Sequence, residues 1–243
     1  EVNNDLTITA GTLDVSASNF GITLGGDWGN SGTFISRSGT VTFDGNSTIT
    51  TIGDGEISEY SLSFDGENDY ATSGSSLLSN LSQFTMAGWI NAESAGISAG
   101  FFGQNNVIEF GFNGSNKVHA WTSGGGVVNW NFTITTFPFE VYHHVVFVGS
   151  GSNLKLYVDG VLEVTGGNNT SNYGSSSYLF NIGGGGIYGA SGNWFNGSID
   201  EVAVWNEALT NDEITALYNS GTPLDASANS GDYMSSANLQ GYW

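Results

Sequence analysis

The chain has 243 residues, 39% of them hydrophobic, and carries 23 acidic against 3 basic side chains, for a formal net charge of -20. So little lysine and arginine cannot neutralise phosphates, which argues against nucleic acid and anionic membranes as partners. The absence of cysteine excludes disulfides and thiolate metal sites, and no apolar run reaches the roughly 18 residues of a membrane-inserted span.

Short apolar runs alternate with glycine, serine and asparagine turns along the whole chain, at intervals of roughly eight to twelve residues. With 37 glycines and one convincing helix, this pattern predicts an all-β protein. The scarcity of charge together with much Ser, Thr, Asn and Gly is typical of secreted surface proteins. We therefore expect an extracellular or cell-surface location.

Residues 1–55 differ from the rest in carrying very short runs with irregular spacing. They are Leu6–Ile8, Leu13–Val15, Ile22–Leu24, Thr33–Ile35, Val41–Phe43 and Thr48–Thr50. The segment resembles a rung or two of the β-solenoid stalks of large bacterial surface proteins. Because fewer than about three such repeats are seldom stable alone, its ends need covering. A small β segment added to the main domain is the alternative.

Residues 56–221 contain five phrases in a characteristic order. They are Ser61–Ala71, Phe84–Ser94, Val141–Gly166, Phe180–Gly186 and Trp194–Asn219. Together they resemble the laminin-G-like modules of the concanavalin A-like lectin and glucanase superfamily. The resemblance implies an antiparallel two-sheet jelly roll.

The last of these phrases includes the one predicted helix. Thr210 and Glu213 have the spacing of a capping box, in which each side chain accepts a backbone N–H of the other residue. Ile214, Leu217 and Tyr218 then form the apolar stripe of a short packed helix.

Residues 222–243 have the composition of a linker followed by a terminal strand. The strand resembles the one with which modules of this family begin, and it comprises Leu239, Gln240, Gly241, Tyr242 and Trp243. Three alternatives follow: it starts a further tandem module, it fills a sheet edge of its own chain, or it is donated to another subunit to build a fibre.

The family resemblance also implies a structural calcium that joins an acidic turn to a late strand. Its ligands here would be Asp65 or Asp69, Asp200 and the main-chain oxygen of Gly66, since calcium takes several oxygen ligands. Asp200 lies in an apolar strand, where an unpaired carboxylate is costly to bury. The alternative is that Asp200 faces solvent or accepts backbone N–H groups.

Four aromatic residues with polar neighbours are candidates for stacking against a sugar ring: Trp121, Trp130, Tyr188 and Trp194. The alternative for each is packing in the core or at its edge. His144 matches the histidine of the family's W-x-H-V phrase. Because His143 and His144 point to opposite strand faces, we expect packing rather than metal binding.

No catalytic residue is predicted, because the E-x-D-x-E signature typical of the superfamily's glucanases does not occur in the sequence. Two function classes remain. One is a non-catalytic, lectin-like module that binds a glycan or a surface protein, with structural calcium. The other is a structural repeat or subunit of a fibre, sheath or adhesin stalk that assembles with copies of itself through strand complementation.

Overall fold

A computed structural model of the chain describes residues 2–15, 18, 20–30, 33–35, 41–43, 48–51, 61–96, 98–114, 116–189 and 191–243. The boundary expected between residues 55 and 56 lies outside these residues. The strands before it are β1 Leu6–Ile8, β2 Thr12–Asp14, β3 Ile22–Leu24, β4 Trp28–Asn30, β5 Thr33–Ile35, β6 Val41–Phe43 and β7 Thr48–Thr51. The following strands are β8 Leu62–Asp65, β9 Tyr70–Thr72, β10 Phe84–Ala92, β11 Ser98–Gln104, β12 Ile108–Asn113, β13 Lys117–Thr122, β14 Gly126–Asn131, β15 Tyr142–Gly149, β16 Leu154–Val158, β17 Val161–Gly166, β18 Phe180–Ile182 and β19 Asn196–Trp205. Helix α1 (Asn211–Tyr218), two 3-10 turns (Asn219–Gly221 and Ser236–Asn238) and β20 (Leu239–Tyr242) complete the described chain.

Two large sheets face each other. The nine-stranded sheet has the order β1-β4-β7-β9-β18-β11-β12-β13-β14, and the seven-stranded sheet has the order β17-β16-β15-β10-β19-β20 with β8 also paired to β19. From β8 onward, neighbouring strands within each sheet pair antiparallel. The predicted antiparallel two-sheet sandwich is confirmed.

Phenylalanine fills the space between the sheets. Phe101 of β11 lies with its ring centroid 4.7 Å from Phe112 and 5.3 Å from Phe110, both edge-on. Edge-to-face pairs contribute about 0.5–1.5 kcal/mol each beyond the area they bury. Phe84 and Phe147 extend the cluster from the seven-stranded sheet, again edge-on at 5.1 Å.

The central strands of the seven-stranded sheet, β10 and β15, are buried on both faces, whereas β13 in the nine-stranded sheet alternates between buried and half-buried residues. A second apolar cluster lies on the outer face of the seven-stranded sheet, where Ile214 and Leu217 of α1 and Tyr233 of the tail cover Tyr157 and Trp205. This explains why β10 and β19 read as nearly continuous apolar strands. On the outer face of the nine-stranded sheet, by contrast, side chains such as His119 and Trp121 of β13 stay partly exposed.

Helix α1 begins as the sequence predicts. The Thr210 hydroxyl accepts the Glu213 N–H at 3.3 Å, and the Glu213 carboxylate accepts the Thr210 N–H at 2.9 Å. The helix ends at Asn219, which takes a left-handed conformation with φ 44°. Among the described residues, no helix has the length and apolar character needed to cross a membrane.

The early strands run parallel and continue the nine-stranded sheet. Leu6 of β1 pairs with Trp28 of β4, Trp28 with Ile49 of β7, and Ile49 with Ala71 of β9. The sequence step from each partner to the next is therefore nearly constant. Strands β2–β5 and β3–β6 form two further parallel pairs. The segment thus extends the sandwich, as the added β segment would, and its description as part of a solenoid stays a prediction.

The tail packs on its own chain. Tyr233 is fully buried, where its hydroxyl accepts the Trp205 indole N–H at 2.8 Å and donates to Ala226 O at 2.7 Å. Strand β20 pairs antiparallel with β19, and the Trp243 ring stacks on Phe180 with centroids 5.4 Å apart. Linker composition was therefore a poor guide to residues 222–243. Of the three alternatives for the terminal strand, the structure shows the one that fills an edge of its own chain.

Candidate functional site

One loop packs on the outer face of the nine-stranded sheet, with Ile187 against β11 and Tyr188 against β13. It runs from residue 183 to residue 195, and the Asn181 amide of β18 holds it by donating to Gly185 O at 2.8 Å. Ile187 of the loop lies over β11, where a side chain on Gly100 would place its Cβ 2.6 Å from the Ile187 Cδ1. Glycine at that position is what lets the loop lie flat on the sheet.

Tyr188 of the same loop contacts β13 at His119. Its hydroxyl donates to His119 O at 3.1 Å, and its ring centroid lies 5.8 Å from that of His119. Burial, together with the nearby negative charge of Glu109, raises the pKa of the Tyr188 hydroxyl well above its ordinary value. The phenol is therefore a neutral hydrogen-bonding group with its ring against the sheet.

Strand register places further polar groups beside Tyr188. Glu109 of β12 stands opposite Trp121 of β13, and His119 stands opposite Asn129 of β14. These residues alternate along their strands with core residues, so they share the outer face. They define, with Tyr188, what we call the outer-face site: Glu109, His119, Trp121, Asn129 and Tyr188.

The protonation of this site follows from its contacts. His119 Nδ1 lies 2.7 Å from Asn129 Oδ1, and since an amide oxygen only accepts, Nδ1 carries the proton and Nε2 is left as an acceptor. Burial lowers the pKa of His119, so the ring is neutral near pH 7. Burial raises the pKa of Glu109, although its carboxylate accepts the Asn106 N–H at 3.0 Å.

The outer-face site therefore offers a partly exposed indole beside an imidazole acceptor, a carboxyl group and an amide. An aromatic ring packs against the apolar face of a cyclic ligand, and polar groups around it satisfy the hydroxyls at the ligand's rim.

The four predicted aromatic residues do not form one site. Trp121 and Tyr188 both lie on the outer face, Tyr188 in contact with His119 and Trp121 two residues farther along β13. Trp130 points to the opposite side of β14, with its ring 5.7 Å from Phe132 and 6.1 Å from Phe137. Trp130 is thus core packing, the alternative weighed for it. Trp194 lies toward the other flank of the loop, against Tyr70 at 5.9 Å. Sequence reasoning missed Glu109 and Asn129, whose signal was their alternation with apolar residues.

Of the predicted calcium ligands, Asp65, Gly66 and Asp69 lie in one turn and Asp200 lies apart from them. In the acidic turn, Asp69 Oδ2 accepts the Asp65 N–H at 3.2 Å, so the turn closes on itself. Asp65 pairs with Asn196 of β19, and Asp200 lies four residues farther along that strand, or about 13 Å. Among the described residues, no group of three His, Cys, Asp or Glu is placed to hold a metal. Asp200 therefore falls out of the predicted set, and calcium at the turn with Asp65, Gly66 and Asp69 stays a prediction.

Asp200 instead lies on the outer face of the seven-stranded sheet, level with Trp89 of β10. Its carboxylate accepts the Glu201 N–H at 2.9 Å, as the alternative for this residue anticipated. Burial nevertheless raises the pKa of Asp200 to about 7.

Comparison with known proteins agrees with this architecture. A laminin G family model described as the Concanavalin A-like lectin/glucanases superfamily matches residues 65–215, more than half of the chain. The chain therefore belongs to this superfamily of jelly-roll domains, and the resemblance found in the sequence is confirmed. No curated protein matches the sequence.

Solved structures with the same fold include proteins from three organisms. A candidate carbohydrate-binding protein from Bacteroides ovatus is 18% identical with a TM-score of 0.56, over 75% of this chain and 50% of that protein. The sialidase module CBM40 of Ruminococcus gnavus, bound to α2,3-sialyllactose, is 14% identical with a TM-score of 0.55, over 66% and 97%. A heptameric SAP-like pentraxin from Limulus polyphemus is 17% identical with a TM-score of 0.51, over 64% and 80%. The chain spans only half the length of the Bacteroides protein. At these identities the likeness shows the fold.

Proposed function

We propose that the chain is a non-catalytic glycan-binding module that holds a neutral sugar at the outer-face site. The observation that carries the proposal is the placement of Trp121 and Tyr188 beside Glu109, His119 and Asn129 on the outer face of the nine-stranded sheet. The Ruminococcus module, which has the same fold, is bound to a sugar. An extracellular, adhesive role fits the composition described above.

Charge favours a neutral ligand. With a formal net charge of -20 and Glu109 within the site, an anionic sugar meets repulsion from both the whole molecule and the nearest carboxylate. Lys117 lies on the same face but two residues from His119 along β13, so one cation stands against a large excess of acid. Neutral hydroxyls instead supply donors for the carboxylate of Glu109 and for His119 Nε2.

A non-catalytic role is supported by the composition of the site. Hydrolysis of a glycosidic bond by the common mechanisms uses two carboxyl groups on either side of it. Among the five residues of the outer-face site, Glu109 alone carries a carboxyl group.

The experiment is a glycan array that holds neutral and sialylated sugars, probed with the intact chain, with Trp121→Ala and with Trp194→Ala as the matched control. We expect retention of neutral glycans, an affinity loss of at least about tenfold in Trp121→Ala, equivalent to about 1.4 kcal/mol, and no loss in the control. Unchanged retention by a Trp121→Ala protein that melts like wild type would contradict the proposed site.

A structural role in a fibre or stalk is the second candidate, and the nearly constant step between the paired parallel strands favours it. The terminal strand supports it less, because β20 already pairs within its own chain. Light scattering after size exclusion separates the two functions. Large assemblies of the intact chain would favour the structural role, and a monomer near 25.5 kDa would favour the binding module.

A further inference from the structure

Three buried polar atoms on the seven-stranded sheet have no hydrogen-bond partner among the described residues. They are Glu201 Oε2, His144 Nδ1 and the Tyr242 hydroxyl. All three residues line one cavity between the outer face of that sheet, α1 and the tail, together with Trp89 and Leu217. Buried polar groups in native proteins are hydrogen-bonded in the large majority of cases, so three orphans at one cavity indicate a missing shared partner.

The backbone of Glu201 has a left-handed conformation, which is unfavourable for a residue with a side chain. Glu201 sits at a β-bulge of β19, where the register to β10 shifts between Ala87 and Trp89, and its φ is 52°. Glycine is the residue that takes such a left-handed bulge position without strain. Glu201 as a whole is only 6% exposed and its Oε2 atom is buried, so solvent does not account for its presence.

The size and chemistry of the cavity select its occupant. Room for the centre of a water molecule amounts to about 10 Å³, about enough for one water, and buried waters make about three hydrogen bonds. The orphan atoms are a carboxyl oxygen, an imidazole nitrogen and a hydroxyl, each from a different strand. Calcium would need six to eight oxygen ligands, more than these three residues supply.

We propose that Glu201, His144 and Tyr242 bind one buried water molecule, and that this water fastens β20 to the sandwich. Tyr242 belongs to the edge strand β20, whereas Glu201 belongs to β19 beside it and His144 to β15, on the far side of β10 in the same sheet. The shared water therefore bridges the terminal strand to two strands of the sheet. It adds to the pairing of Trp243 with Val202, in which each N–H donates to the other's carbonyl oxygen at 2.9 Å.

Hydrogen–deuterium exchange of the intact chain tests the fastening, with the Trp243 amide as the reporter of β20 opening. The variants are Tyr242→Phe, which removes one hydroxyl, and Glu201→Gly, which removes the carboxyl and also relieves the strained φ. Glu140→Gly is the matched control, because Glu140 also has a left-handed φ of 61° but is exposed. We expect exchange at Trp243 about tenfold faster in each site variant and unchanged in the control.

The strain of Glu201 makes the test discriminating. If the Glu201 carboxyl group bound no water, Glu201→Gly would only relieve backbone strain and remove one buried polar group. Exchange of the Trp243 amide would then slow, and the melting temperature would rise. That result would overturn the proposal. The double variant Tyr242→Phe, Glu201→Gly tests whether the two residues share one water. A Trp243 exchange rate close to that of the faster single variant supports a shared water. A rate increase equal to the product of the two single increases would contradict it.

A high-resolution crystal structure of the intact chain identifies the occupant. Density for one water within hydrogen-bonding distance of all three atoms is the expected result. A direct contact between Glu201 and His144 with no water, or a cation coordinated in the cavity, would refute the water site.

Discussion

Deprotonation of the buried Glu201 carboxyl group is expected to make the protein less stable as the pH rises through neutrality. Burial, then the negative charges of Asp200 and Asp225, raise its pKa from 4.5 to about 8. Between those two values the folded state keeps a proton that the unfolded chain has lost. The stabilisation is therefore fully present below about pH 4.5 and is lost as the pH rises through about 8.

The size of the effect follows from the two pKa values. Between pH 6.5 and 8.5, linkage for this one group lowers the free energy of unfolding by about 2 kcal/mol, or about 4–8 °C in melting temperature for a chain of this length. His144 contributes with opposite sign and mostly below this window, because burial lowers its pKa to about 4 and the unfolded imidazole, with a pKa of about 6.5, has lost most of its proton by about pH 7.5. Asp200, with its pKa raised to about 7, adds to the loss only in the lower part of the window.

Urea unfolding at pH 6.5, 7.5 and 8.5 measures the effect in wild type, Glu201→Gln and Glu163→Gln. The last variant makes the same change of charge on the edge strand β17. We expect Glu201→Gln to lose about 2 kcal/mol of the pH dependence, the linkage contribution of this one group, and Glu163→Gln to keep it. A wild-type stability that is flat or rises across the window, or an equal slope in Glu201→Gln, would refute the reasoning.

Three further changes test other parts of the structure. Trp130→Ala is expected to lower the free energy of unfolding by about 2–4 kcal/mol because the ring packs in the core, whereas Trp121→Ala on the outer face should cost less than about 1 kcal/mol; equal losses in urea unfolding would contradict the assignment of faces. Deleting Leu239–Trp243 should lower the melting temperature by several degrees, since β20 and its stacking on Phe180 are lost; an unchanged melting curve would show that the strand is not part of the folded sheet. Thr210→Ala should cost about 1 kcal/mol by removing the helix cap, and no change in chemical denaturation would argue against the capping box.

Local features of the fold were predictable from the sequence. The capping box of Thr210 and Glu213 depends on a spacing of three residues, and the apolar strand around Trp89 depends on the composition of β10 alone. Both are decided within one element, so no knowledge of distant contacts was needed.

The distribution of aromatic residues over the two faces was not predictable, because it depends on register. Trp121 stands opposite Val127, which places Trp130 opposite Val118 of the core. A hairpin shifted by one residue would bring Trp130 to the outer face instead. The turn that fixes this register contains several glycines, and the sequence alone leaves its length open.

The positions of the acidic residues and of the terminal strand also depend on strand pairing between residues that are far apart in the sequence. Asp65 and Asp200 are far apart in the sequence, and only the alignment of β8 on β19 shows that they are separated along the strand. Likewise, the sequence of β20 is compatible with any open edge. Its placement against Ala203–Trp205 depends on the packing of Tyr233 and the rest of the tail.

The pairing of β7 with β9 has a mechanical consequence. Strands β1, β4, β7, β9, β18, β11, β12, β13 and β14 form one uninterrupted series of hydrogen-bonded neighbours. The last three of them carry Glu109, Trp121 and Asn129 of the outer-face site. A pull on a ligand held at the outer-face site is therefore transmitted to the early strands across successive rows of hydrogen bonds. If the outer-face site holds a ligand as proposed, the nine-stranded sheet connects that ligand to the parallel strands at its far edge through hydrogen-bonded strand neighbours alone.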